Sequence, residues 1–183
     1  VERFTRVAII LHWAVAIGIL GNVALAWSVD YLPDEWVRPV IDTHKSIGIT
    51  VLGLVFLRML WRVSHRPPSL PDSFPRWEHT AAHIAHGLLY LLMLALPLSG
   101  WLHDSAWKDA AAHPMTLFHL VPWPRIGFVM HLEPVLKEHM HDVFGAVHTW
   151  LGYALYLLLA LHIGGALKHE WIDRQSVLRR MWR

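Results

Sequence analysis

Along the 183 residues, long apolar runs alternate with short polar, charged ones. A helix needs about 20 residues to cross a bilayer, and four runs reach that length. Val7 to Val29 has no charged residue. Lys45 to Val63 is uncharged from Ser46 to Leu57 and then meets Arg58 and Arg62. Ala81 to His103 and Val143 to Leu167 carry no Lys, Arg, Asp or Glu. All four are too long for strands, and a helix satisfies its own backbone polar groups in lipid. The pattern predicts one all-α domain over 1–183, a transmembrane four-helix bundle with spans at about 7–29, 43–63, 80–103 and 143–168. The first run outlasts the short apolar core of a signal peptide and is read as a span. Pro97 lacks an N–H and is expected to kink the third helix.

Charge sets an orientation. Of 16 Lys and Arg, eleven lie in the N-terminal tail, between Arg58 and Glu78, and from Lys168 to Arg183. The other two connections, with Lys45, hold the remaining five and nine of the fourteen carboxylates. The positive-inside rule then puts both termini and the middle connection in the cytoplasm. The outer loops are expected at Asp30–Thr43 and Asp104–Asp142, the second long, rich in Pro, His and Trp, and packed over the bundle mouth. A net charge of only +2 offers little to nucleic acid.

Composition narrows the chemistry. There is no cysteine, which excludes disulfides, thiolate metal sites, iron–sulfur clusters and thioether-linked haem. Histidine is abundant, at 15. Ionisable residues inside a membrane mark function by default. His12 lies in the first segment, His44 opens the second, His83 and His86 lie in the third, and His148 and His162 lie in the fourth. The last two are 14 residues apart, a rise of about 21 Å and a rotation about 40° short of four full turns. They share one face at two depths.

Matching depths across helices yields two pairs. His12 and His162 each lie about two turns from the inner end of their helices. His44 and His148 each lie near the outer end. Two imidazoles facing each other across a helical bundle make a bis-histidine haem site, so two b haems are expected. Gly48 and Gly152 each follow a histidine of the outer pair by four and share its face. They either leave room for a flat macrocycle or let helices approach closely. Structural zinc is the rival, but it needs its ligands in one place, which residues 14 apart on a helix cannot share. A proton or metal transporter using the same histidines is the alternative of another class.

Other polar residues stay open. Arg58 follows His44 by 14 and reaches the inner depth, either to neutralise a propionate or bond a quinone, or to snorkel to the interface. His83 and His86 line a quinone pocket, assist proton transfer and contact propionates, or serve as interfacial hydrogen-bonding residues. His139 and His141 rival His148 as outer ligand. With His103, His113, His119 and His131, they otherwise belong to the outer loop or its helix junction, as surface imidazoles or a weak metal site.

Read together, Leu11-His12-Trp13, Thr43-His44-Lys45 with Gly48 and Arg58, AHIAHGLLYLLMLALPLSGW from Ala82, and HTWLGYALYLLLALH from His148 running into ALKHEWIDRQSVLRRM resemble the bacterial cytochrome b561 family over nearly the full length. The resemblance implies a di-haem membrane cytochrome of the bacterial inner membrane. It implies His12, His44, His148 and His162 as axial ligands, and ubiquinone chemistry at the cytoplasmic haem. Lys168 and His169 match the family's Lys-His pair after the fourth helix, and His169 is the expected quinone contact or proton donor. Glu170 stands where the family often has a second histidine. One branch resembles a superoxide:ubiquinone oxidoreductase; related subunits instead dock a periplasmic redox protein. An anionic substrate needs a positive outer surface, and Lys108, Arg125 and Lys137 are the candidates for one.

Overall fold

The computed structural model describes residues 3–65, 67–69, 74–175 and 178–182. Arg66 and Arg183, two of the residues behind the expected orientation, lie outside them. Four long helices are present: α1 (Arg6–Ser28), α2 (Asp34–Ser64), α3 (Arg76–Ala106) and α5 (Pro134–Trp171). Each is long and apolar enough to cross a membrane. A one-turn helix α4 (Gly127–Met130) and a two-stranded hairpin, β1 (Thr116–Leu117) with β2 (Val121–Pro122), lie between α3 and α5.

Helix ends follow local chemistry. Thr5 caps α1, its hydroxyl accepting from the Ala8 N–H at 3.3 Å. Two helices start nine residues earlier than the expected spans at 43 and 143. Glu133 caps α5 by accepting from the Val135 and Leu136 N–H groups at 3.1 and 3.2 Å. Pro134 at the first helical position has its φ already set for a helix. Asp34 and Glu35 place negative charge in the first turn of α2. Pro39 lies inside that helix, one turn from its start, and the helix continues through it. So most of the expected loop 30–43 is helical, and the connection from α3 to α5 shortens to 107–133.

Helix α1 packs on α2, α2 on α3 and α3 on α5. A Cβ on Gly18 would sit 2.6 Å from Val51 Cγ2, so only glycine permits that α1–α2 approach. Val15, Val51, Val55 and Met93 form one buried cluster, and Leu89, Leu92 and Leu155 another. Val51 is seven residues from both His44 and Arg58; Leu155 is seven from both His148 and His162. Seven residues are nearly two turns. The apolar core therefore lies midway between the two histidine levels.

The 107–133 connection is bolted onto the bundle. The Ser46 hydroxyl accepts from the Phe118 N–H at 2.9 Å, and the Ser105 hydroxyl accepts from the Ile126 N–H at 3.0 Å. Both serines are buried. Phe118 and His119 have φ of 50° and 59°, a region costly for residues with a Cβ. The bond to Ser46 helps hold that turn.

Candidate functional site

Helices α2 and α5 bring His44 and His148 together, with ring centres 6.1 Å apart. Helices α1 and α5 bring His12 and His162 together, at 6.3 Å. Two imidazoles on opposite sides of one metal ion have centres about 6 Å apart, counting about 2 Å per metal–nitrogen bond and about 1 Å within each ring. Both separations suit that arrangement.

The outer pair has the hydrogen-bond pattern of ligating histidines. His44 Nδ1 lies 3.2 Å from the Asn22 carbonyl, and His148 Nδ1 lies 3.0 Å from the Leu96 carbonyl. A carbonyl only accepts, so each Nδ1 carries the proton and each Nε2 keeps its lone pair. The Ser99 hydroxyl donates to the same Leu96 carbonyl at 2.8 Å, leaving its oxygen to accept from His148 Nδ1 at 3.1 Å.

Beside this pair is a cavity of about 840 Å³, within the range of cofactor sites. Val51, Met93 and Leu155 line it on the core side. Gly48, Gly100 and Gly152 line it as well. A Cβ on Gly48 would meet only the Asn22 amide at 3.5 Å, and one on Gly152 only the Tyr156 hydroxyl at 3.9 Å. On Gly100 it would lie 3.1 Å from His148 Cε1, so a side chain there presses on the ring. The Asn22 Oδ1 is buried without a partner among the described residues. The cavity fits a large, flat, mostly apolar ligand reached by two imidazoles.

The inner pair is arranged differently. His12 Nδ1 is buried with no hydrogen-bond partner among the described residues, an orphan that lipid makes costly. The His86 ring centre lies 5.5 Å from that of His162. His83 and His86 are both exposed, but His83 bonds its own helix instead, Nδ1 to the His79 carbonyl at 2.7 Å. Of the two third-segment histidines, His86 is the one facing the inner pair. The Arg58 guanidinium lies over the Tyr90 ring, 5.5 Å from its centre.

Lys168 and His169 fall in a charged cluster at the end of α5. Lys168 Nζ bonds Glu78 Oε1 at 2.7 Å and Asp173 Oδ2 at 2.9 Å. His169 Nδ1 lies 2.7 Å from Asp173 Oδ2, and its ring stacks on Phe74 at 4.3 Å. The hydrogen bond from Lys168, then that from His169, holds the Asp173 carboxyl below the usual carboxylate range.

Two expectations about the outer end change. His103 ends the expected third span and lies on α3, while His141, expected in the loop, lies on α5; both line the large cavity. Their rings stack at 3.9 Å, each Nδ1 bonding the other's carbonyl at 2.9 and 3.0 Å. Gly145 permits this, since a Cβ there would meet His103 at 2.9 Å. Second, two of the three outer cations are engaged. Arg125 bonds Asp104 at 2.8 Å and the carbonyls of Ala110 and His113 at 2.6 Å each. Lys137 bonds the Met130 carbonyl at 3.3 Å.

Asn22, Ser99 and Gly100 escaped the sequence reading. Only Asn22 leaves a trace there, as an amide in an uncharged run; the other two depend on contacts from distant helices. Glu133-Pro134 was a legible start signal for α5, and it puts His141 on the helix.

The model of the prokaryotic cytochrome b561 family matches residues 3–183. Cytochrome b561 homolog 2 of Escherichia coli strain K12 is 33% identical over 182 residues, covering 98% of this chain and 91% of its own length. Homolog 1 from the same strain is 27% identical, with 98% and 97% covered. The probable superoxide oxidase CybB of Yersinia pestis is 25% identical, with 98% and 96% covered. Four membrane-length helices, paired histidines at two levels and a match over nearly the whole length agree: this chain is a multi-pass membrane protein of the prokaryotic cytochrome b561 family.

Proposed function

We propose that this protein moves electrons across the bacterial inner membrane, between a donor at the periplasmic face and ubiquinone near the cytoplasmic face, with two b haems bound. The observation that carries the reading is the pair of imidazole couples, 6.1 and 6.3 Å between centres, on either side of one apolar core. Haem b held there supplies one-electron chemistry at its iron. His44 and His148 hold the outer group, with Gly48 and Gly152 leaving the flank of the cavity open. His12 and His162 hold the inner one, and the Nδ1 of His12 needs a partner that the described residues do not supply. Each pair would supply two imidazoles to one haem, which suits electron transfer and disfavours binding of oxygen.

Quinone reduction consumes protons with electrons, so titratable groups are needed at the inner end. His169 is the proposed proton donor, held by Asp173 and Phe74. Lys168 keeps the neighbouring carboxylates neutralised. His86 lies beside His162, and Arg58 stands over Tyr90; His83, one turn further out, is at most a contact at the pocket edge. Both termini lie in the cytoplasm in this reading, as the charge asymmetry favours.

Two donors are favoured by different observations. Superoxide is supported by the name of the Yersinia pestis relative. A periplasmic redox protein is supported by the engagement of Arg125 and Lys137, which leaves Lys108 as the exposed cation of the three. Rapid mixing with superoxide separates them. Haem reduction that outpaces superoxide dismutation assigns the first donor, and its absence at low salt assigns the second.

The central test is pigment. Purified protein is expected to show a b-type reduced-minus-oxidised spectrum with two haems per chain. His162→Ala is expected to retain one. Well-folded protein without haem overturns the reading in favour of transport, and a His162→Ala variant with both haems overturns the inner assignment.

A further inference from the structure

We propose that the cleft enclosed by the start of α1, the end of α2 and the middle of α3 binds the phosphate of an acidic phospholipid headgroup. Arg3, Arg58, Arg62 and His65 line it. Aromatic rings hold these groups in place. The guanidinium carbons of Arg58 and Arg62 each lie 5.5 Å from the centre of the Tyr90 ring. His65 stacks on Trp61 at 3.8 Å with planes 5° apart, and Trp61 Nε1 donates to Thr5 Oγ1 at 2.9 Å. That bond ties the end of α2 to the N-terminus of α1, whose unpaired N–H groups add positive potential.

Among the described residues, the cluster lacks the counter-charge that other cations have. Lys45 pairs with Asp42 and Asp104, Arg125 with Asp104, and Lys168 with Glu78 and Asp173. Among the described residues, no carboxylate pairs with Arg3, Arg58 or Arg62. Three guanidinium groups around one cleft repel one another until an anion arrives. The cleft measures about 60 Å³, room for a few waters. That suits one compact oxyanion and is too small for a planar cofactor.

Its surroundings select an amphiphile. Leu57, Leu60 and Val63, on the opposite face of the same last turns of α2, are 55%, 67% and 87% exposed. In a bilayer that face meets acyl chains, and the basic groups lie at headgroup level. Basic pockets between membrane helices bind acidic lipid headgroups by this combination of charge and depth. Free phosphate shares the anionic chemistry but has no acyl chains to hold it at that depth.

The test uses full-length, haem-loaded protein in neutral detergent. Native mass spectrometry counts retained dioleoylphosphatidylglycerol against dioleoylphosphatidylcholine. Wild type is expected to retain the acidic lipid in preference. The Arg3→Gln, Arg62→Gln double variant is expected to weaken that retention by about tenfold or more. Arg62→Lys, which keeps the charge, is expected to hold most of it. A control double, Arg174→Gln with Arg179→Gln, removes two exposed arginines of the C-terminal segment and is expected to change little. Equal loss in both doubles would mean diffuse charge and overturn the site. So would equal retention of the two lipids, or displacement of the acidic lipid by millimolar inorganic phosphate. If the first double variant loses its haem or its fold, the single Arg3→Gln and Arg62→Gln variants decide, and unchanged lipid preference in both overturns the proposal.

Discussion

His148 is held by three residues of α3. The Leu96 carbonyl and Ser99 hydroxyl accept from its Nδ1, while Gly100 leaves space against its ring. A hydrogen bond donated from Nδ1 makes a ligating imidazole more basic and favours the oxidised metal. In the proposed di-haem form, Ser99→Ala is therefore expected to raise the outer haem's potential. Losing a bond worth about 1 kcal/mol corresponds to roughly 40 mV for a one-electron couple. Redox titration followed at the haem bands checks this, and an unchanged potential makes Ser99 a packing residue only. Gly100→Val drives atoms into a ring that a Cβ alone would approach at 3.1 Å. Overpacking of this kind costs about 1–3 kcal/mol. The expected result is loss of outer haem with the inner one retained, read by haem-to-protein ratio.

At the scale of elements, the end of α5 carries a pH-sensitive clamp. Lys168, His169, Glu78 and Asp173 join α5 to the start of α3. Asp173 titrates below its usual value because Lys168 and His169 bond its charged form. A carboxylate shifted downward stabilises the fold fully above the ordinary aspartate value, 3.8, and loses that contribution as pH falls through its lower folded value. Amide exchange in the last turn of α5 is therefore expected to accelerate only below about pH 4. Asp173→Asn is expected to show fast exchange at all pH values. A wild-type profile flat through that window counts against the clamp.

For the whole molecule, the 107–133 connection ties the outer ends of α2 and α3 together. Arg125 is central: its side chain is 6% exposed and holds Asp104, which also accepts from Lys45. Removing one partner of a buried pair strands the other charge, at a cost of about 3–5 kcal/mol. Arg125→Gln is expected to open this connection to proteolysis while the four membrane helices stay intact. Limited proteolysis in detergent reads the difference, and wild-type resistance would show that the serine anchors suffice. The same engagement is why Arg125 is a strut before it is a steering charge.

The sequence by itself determined the parts governed by local rules. Apolar run length announced four spans, because a bilayer demands it of any helix. Helical geometry put His148 and His162 on one face, because their spacing is a near-integral number of turns. The absence of cysteine narrowed the metal chemistry without any fold. Even the early start of α5 was legible in Glu133-Pro134, a local signal that the polar composition of 104–142 masked. Tertiary structure alone decided what depends on residues far apart in the chain. It chose His86 over His83 as the neighbour of the inner pair. It brought Asn22 and Ser99 behind the outer histidines, stacked His103 on His141, and engaged Arg125 in the fold. Hydrogen bonds and ring contacts act over a few ångströms, and which distant groups come within that range is set by how the helices pack and rotate, which no single segment encodes.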